Sequence, residues 1–395
     1  MLRIHDPFLR GQLATAALFS SLGFQYATWA SRIPALKSDL DLTSAEVGFL
    51  LMAAGVGAAA SFPLVAVLMR RLGSRRLSLL STLGLTLILL ALAVAPNYAI
   101  ALLVMCVDGV LVGCLNTAMN AQGAALETTF ERTTMAKLHA TFSGGSLAAA
   151  LLASGMNAAN SSVIAHFSVA ALLLVLLAAS ARTGLLPDEA PVETEGKQAR
   201  TGTRWTLPTG VTLWMCCAMA FGTVAEGAMN DWSTLYMEDV ALASEQVAPL
   251  GIAVVSGAMV VARLFADGWR SRWGDGRVVV LGSVVAGAGL GLALLAGGVV
   301  PALLGFGAVG LGVAAVTPCV YVAAAKRGSD TLTLVAAMGT TGLLAGPPLI
   351  GFVASASDLA WGFGLVSVCV FVVALCGTRI PWEASAPRTA PQRAE

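Results

Sequence analysis

Charge is scarce in this chain. Only 11% of its 395 residues are Asp, Glu, Lys or Arg, against about 25% in soluble domains, and that shortage excludes a soluble globular protein. Histidine is rarer still: His5, His139 and His166 are far apart in sequence and offer no metal-ligand spacing. No glycine-rich loop leads into Gly-Lys-Ser/Thr, so an ATP-driven pump would lack its phosphate cradle. The seven cysteines (Cys106, Cys114, Cys216, Cys217, Cys319, Cys369 and Cys376) lie inside apolar runs, not in polar loops. They read as small buried hydrophobes, not as a disulfide framework or a zinc site. No cofactor, no metal and no nucleic-acid partner is implied. The formal charge of +1 is uninformative, because position outweighs sum in a membrane protein.

Apolar length is what the chain has instead. It is 57% hydrophobic with a mean hydropathy of +0.81, and its 42 Gly and 13 Met suit close, adaptable helix packing. A spanning helix needs about 20 mostly apolar residues. Polar and Pro/Gly breaks predict helices near 9–30, 46–69, 77–95, 98–122, 137–157, 162–181, 209–231, 247–268, 277–299, 301–325, 331–355 and 358–379. The expected fold is an all-α membrane protein with twelve transmembrane helices. Residues 1–181 form an N-terminal six-helix half, 182–208 a cytoplasmic linker too polar to bury a core, 209–381 a C-terminal six-helix half, and 382–395 a disordered cytoplasmic tail. The apolar run from Leu13 is read as a retained helix, because no small-residue cleavage site follows it.

Placing the N-terminus in the cytoplasm puts nearly all of the 23 Lys and Arg residues on that side; Arg32 and Lys37 fall opposite and Arg263 within a span. So strong a bias gives an even span count with both termini inside, in the cell (inner) membrane. An internal repeat supports the division. Leu42-Thr43-Ser44-Ala45-Glu46-Val47 is echoed 200 positions later by Leu242-Ala243-Ser244-Glu245-Gln246-Val247, and Arg71-Leu72-Gly73 is echoed 201 later by Arg272-Trp273-Gly274. Both repeats start from the same side, so the halves are parallel repeats with a solute site expected between them near the midplane.

Ionisable groups inside a span cost about 2.5–3.5 kcal/mol on insertion scales, so each is a functional candidate. Asp108, Asn116 and Asn120 share a face of the fourth helix; they line a cavity or clamp a neighbouring helix. Glu226, one turn before Asn230 in the seventh helix, is the first choice for proton coupling, the alternative being a fixed ion pair with Arg32. Asp231 and Trp232 are expected as interfacial anchors at the outer end of that helix. Gln25, Trp29 and Arg32 share a face of the first helix and form one wall of a solute path, or leave Trp29 and Arg32 at the membrane boundary. His139 reads as hydrogen-bonded structure. Arg263 and Asp267 are an i, i+4 pair in the eighth helix, suited to gating. Pro318 and Gly346-Pro347-Pro348 are expected to kink or unwind the tenth and eleventh helices.

Six plus six helices, a polar central linker and a basic Arg-x-Gly connection after the second helix of each half resemble the major facilitator superfamily. Four stretches are similar to its fucose-permease-like branch, near the bacterial transporters grouped with the rhizopine membrane protein: Trp29-Ala30-Ser31-Arg32-Ile33-Pro34-Ala35-Leu36-Lys37, Leu115-Asn116-Thr117-Ala118-Met119-Asn120-Ala121-Gln122, Leu138-His139-Ala140-Thr141-Phe142-Ser143-Gly144-Gly145 and Glu226-Gly227-Ala228-Met229-Asn230-Asp231-Trp232. The resemblance implies a conformational latch around Arg71, Gly73, Arg272 and Gly274, with Arg263 and Asp267 beside it. The chain departs from the pattern at Arg70 and Ser271, where the family carries Asp, and at Asn116, where it often carries Asp.

The expected activity is secondary active transport of a small polar solute, sugar- or cyclitol-like, by alternating access and proton-coupled. The partners are the solute, the proton and the lipid bilayer, and the protein is expected to be a monomer. Proton-driven efflux of a drug or metabolite is the alternative, because one architecture serves both directions. A transport-fold sensor would need a sizeable cytoplasmic signalling domain, and an enzyme a cluster of catalytic groups; the sequence shows neither.

Overall fold

The computed structural model describes residues 6–159, 162–187 and 210–382. Among them are thirteen helices: α1 (Pro7–Ala30), α2 (Ile33–Asp39), α3 (Ser44–Ala93), α4 (Tyr98–Phe130), α5 (Met135–Ala159), α6 (Val163–Ala181), α7 (Val211–Asp239), α8 (Leu250–Trp273), α9 (Asp275–Ala296), α10 (Val299–Val313), α11 (Val316–Ala325), α12 (Ser329–Ala356) and α13 (Leu359–Arg379). Most of the linker, and all of the expected tail but Trp382, lie outside the described residues. Local chemistry sets many helix starts. Asp6 accepts from Phe8 N ahead of Pro7, Thr43 and Glu46 form a reciprocal capping box, and Asn97, Ser162 and Asp358 each accept from a first-turn amide.

Eight helical stretches are long and apolar enough to cross a membrane by length and composition. The full lengths of α1, α5 and α8 fall outside that set, and each carries polar or charged side chains along a bundle-facing stripe: Gln25, Ser146 and Arg263 among them. The 50-residue α3 joins the expected second and third helices through one non-helical residue, Gly73, at φ 73° and ψ 169°. Gly274, between α8 and α9, adopts φ 80° and ψ 153°. A side chain is disfavoured in this region, which explains glycine at both turns. Positive φ also recurs at Asp41 (52°) and Leu242 (56°). Both pairs are 201 positions apart, so the structural repeat is displaced by one from the 200-residue match that begins at Leu42. The expected tenth helix breaks at Ala314–Ala315, just before Pro318, where proline's missing donor is harmless in a first turn. Helix α12, expected to be kinked or locally unwound at Gly346-Pro347-Pro348, does not unwind but runs on through both prolines, with Pro347 and Pro348 seated against Gly48 of α3.

Helices α1–α6 pack mainly among themselves, as do α7–α13; the seams between the two bundles are α3 against α12 and α5 against α8, with α1 and α2 touching α7. Small residues make close approaches possible. A Cβ on Gly57 would run into the Cys106 carbonyl, and one on Gly109 into that of Ala54, so α3 and α4 meet backbone to backbone. Gly109→Val is therefore expected to lower stability by about 1–3 kcal/mol through overpacking; thermal unfolding in detergent checks this, and an unchanged midpoint would contradict the contact.

Candidate functional site

The polar links between the bundles gather toward one end, that of the 31–43 and 240–249 connections. Lys37 Nζ on α2 lies 2.7 Å from Asp239 Oδ2 at the end of α7, and Ser154 and Asn157 of α5 donate to the backbone carbonyls of Gln246 and Glu245. Deeper in, Tyr26 Oη donates to Asp231 Oδ1. At mid-depth Arg263 of α8 donates to Ser143 Oγ on α5. Among the described residues no cross-bundle hydrogen bond lies beyond this toward the opposite end. A cavity of about 480 Å³ opens at the tied end, walled by Arg32 and Asn157 from one bundle and Thr234, Glu238 and Glu245 from the other.

Two buried carboxylates meet consecutive residues of α1. Gln25 Nε2 donates to Asp108 Oδ1 at 2.7 Å, with both side chains buried; this link stays within the first bundle. Tyr26 reaches Asp231 in the second. Asp231 is 6% exposed and its neighbour Trp232 fully buried, so neither is the interfacial anchor expected from the sequence. The cause is helix length: α7 continues to Asp239, about two turns past the expected end, and carries both residues inward.

Glu226 lies 3.1 Å from Arg263, not against Arg32, and Asn230 donates to the Glu226 carbonyl. The expected pairing of Arg263 with Asp267 falls on a side chain outside the described residues. Arg32 donates from Nε to His166 Nδ1 at 3.1 Å. A guanidinium keeps its protons, so His166 must offer a lone pair at Nδ1 and carry its proton on Nε2, which is buried without a partner. Burial lowers the Arg32 pKa from its usual range, and the Glu245 carboxylate works against that shift. Trp29 is buried, edge-on to Tyr26, and its ring is not open to a solute in this state.

Asn120 donates to Asn116, which is exposed, about 12 Å along α4 from Asp108; these two do not join the Gln25–Asp108 group. His139 packs edge-to-face on Phe19. Arg71 and Arg272 are exposed beside their glycine turns, while Arg75 and Arg270 make the bonds there, to the Arg182 carbonyl and to Asp275. Sequence reasoning missed Tyr26, Ser143 and His166 as partners, because each bonds to a residue more than 100 positions away.

The Major Facilitator Superfamily profile matches residues 13–331. Relatives are similar over most of the chain: an uncharacterised MFS-type transporter of Yersinia pestis at 32% identity, covering 93% of this chain and 95% of that one, and the membrane protein MosC of Rhizobium meliloti at 30%, covering 92% and 88%. The chain belongs to the Major Facilitator Superfamily. Its fold is similar to that of the D-xylose–proton symporter (TM-score 0.75, 15% identity, 95% of this chain and 99% of that one) and of FucP in the outward conformation (TM-score 0.63, 16%, 96% and 100%). The protein is thus a multi-pass membrane transporter of small solutes and not an enzyme, and its likeness to MosC agrees with the branch the motifs resemble.

In such a transporter the buried acids need their partners. Gln25→Leu leaves Asp108 without its donor and is expected to destabilise by about 1–3 kcal/mol. The double variant Gln25→Leu/Asp108→Leu should lose less than the sum of the single losses, a coupling that thermal unfolding of all four proteins measures.

Proposed function

We propose that the protein is a secondary active transporter that moves a small polar solute, sugar- or cyclitol-like, by alternating access driven by a proton gradient. The observation that carries this reading is the placement of the bundle-to-bundle bonds: polar ties close one end around buried acids, while mid-depth polar groups face between the bundles. A rocking motion that breaks these ties would open that end and expose the same groups to the other side.

The twelve crossings are α1, the two limbs of α3, then α4 through α9, the α10–α11 pair, α12 and α13. They form two parallel six-helix halves, 1–181 and 209–381, in the inner membrane. The scarcity of Lys and Arg in the connections at the tied end supports both termini in the cytoplasm, and the state described is then closed to the outside. The protein acts as a monomer. Gln25, Trp29, Arg32, Asp108, Asn116, Asn120, Glu226 and Asn230 line the solute and proton path. Arg71, Gly73, Arg272 and Gly274 shape the cytoplasmic turns, with Arg263 and Asp267 in the gate between them.

Glu226 suits proton exchange because its counter-charge is shared with the opposite bundle. Arg263 reaches both Glu226 in its own bundle and Ser143 across the seam, so movement of the seam changes which groups share that guanidinium. Structural neighbours that include a D-xylose–proton symporter and a fucose–proton symporter support the solute class.

Flux of labelled sugars and cyclitols in proteoliposomes with an imposed pH gradient tests the reading. Saturable, gradient-driven accumulation is expected, and Glu226→Gln should retain exchange while losing its dependence on the gradient. Gradient-driven flux that is unchanged in this variant would remove Glu226 from coupling.

A further inference from the structure

The strongest feature outside that assignment is the link between Tyr26 and Asp231. Asp231 is buried in the middle of the tied end, and among the described residues no Lys, Arg or His lies within ion-pair distance of it. Its surroundings hold few charges. Tyr26 faces it from α1; Glu226, one turn and a half away on α7, is balanced by Arg263 of α8; Asp108 of α4 sits behind Gln25; and Lys37 of α2 is taken by Asp239. Helix α10 contains no ionisable residue, and the charges of α12 and α13 are at their far ends, Asp330 and Arg379. One phenol hydroxyl is therefore the donor a carboxylate at this position depends on, and that phenol belongs to the other bundle.

We propose that Asp231 is a proton-dependent latch of the outer gate, with Tyr26 as its positioning residue: the gate closes on a protonated Asp231 and opens on an ionised one. The argument is one of burial. An ionised carboxylate with a single neutral donor and no cation is expensive to hold away from water. A protonated carboxyl is far less so, and it still bonds Tyr26 as donor or acceptor. When the bundles part at this end the Tyr26–Asp231 bond must break and water enters, which favours the charged form. The Gln25–Asp108 bond, contained in one bundle, is untouched by the same motion. Closure is thereby linked to proton uptake: lowering the pH shifts the population toward the closed gate and raising it shifts the population toward the open one. The proton moves between bulk water and one Asp231 oxygen, with no other bond made or broken.

This inference rests on the alternating-access reading, so its test measures gate opening and not transport. Hydrogen exchange of the 31–43 and 240–249 connections is followed in full-length protein in detergent at about pH 6 and about pH 8, corrected for the intrinsic exchange rate. In the wild type these connections should exchange at least about fivefold faster at the higher pH, the lower edge of ordinary coupling. Asp231→Asn, neutral at every pH, should stay slow at both. Tyr26→Phe, which folds around the same ring volume, should exchange faster than wild type at the higher pH. Wild-type exchange that does not depend on pH, or the same dependence persisting in Asp231→Asn, would overturn the latch. A pH-dependent gate that vanishes in Asp231→Asn, in a protein that moves no solute, would leave the latch standing and refute the transport assignment alone.

Discussion

A carboxylate carried between apolar helices must find donors, a cation or water, because leaving it bare costs several kcal/mol. Three acids on the helices of this transporter meet that demand differently. Asp108 is held by an amide of its own bundle, Glu226 by a guanidinium from the next helix, and Asp231 by a phenol from the opposite bundle. Only the last of these bonds must break when the bundles separate at the tied end. Of these three acids, Asp231 is thus the one whose own bond crosses between the bundles.

Helix α1 is the hinge of this arrangement because consecutive residues point in different directions. Gln25 and Tyr26 are about 100° apart around the axis, so one turns toward α4 and the other toward α7. Close contact of the seams does the rest. Gly48 against the Pro347-Pro348 pair, and Gly351 against Ser44, bring α3 and α12 together with little side chain between them. Such a seam forms when the surfaces match and releases without extracting large groups. The same economy of side chains recurs between α3 and α4, at Gly57 and Gly109.

Much of this architecture was legible in the sequence. Apolar runs and their breaks placed nearly every helix, and the Arg-x-Gly repeat located both glycine turns, Gly73 and Gly274. Three things were not legible. The extension of α7 to Asp239 was hidden because Asp231, Glu238 and Asp239 look like a helix end when their burial is unknown; a run of polar residues reads alike whether it faces water or another bundle. The short α2 follows directly on α1, and its seven residues carry too little periodicity to stand out. The pairings of Tyr26 with Asp231 and of Arg32 with His166 span 205 and 134 positions, and no local pattern encodes which of several candidate partners the packing selects.

Distances across the bundles at both ends probe the rocking motion most directly. Spin labels at Ser38 and Gln246 report the tied end, and labels at Thr133 and Arg272 the opposite end; all four positions are exposed. Alternating access requires the two distances to change in opposite senses when pH or solute is varied, one pair lengthening as the other shortens. Two distances that lengthen together, or that never change, would contradict a transporter built on two rocking bundles.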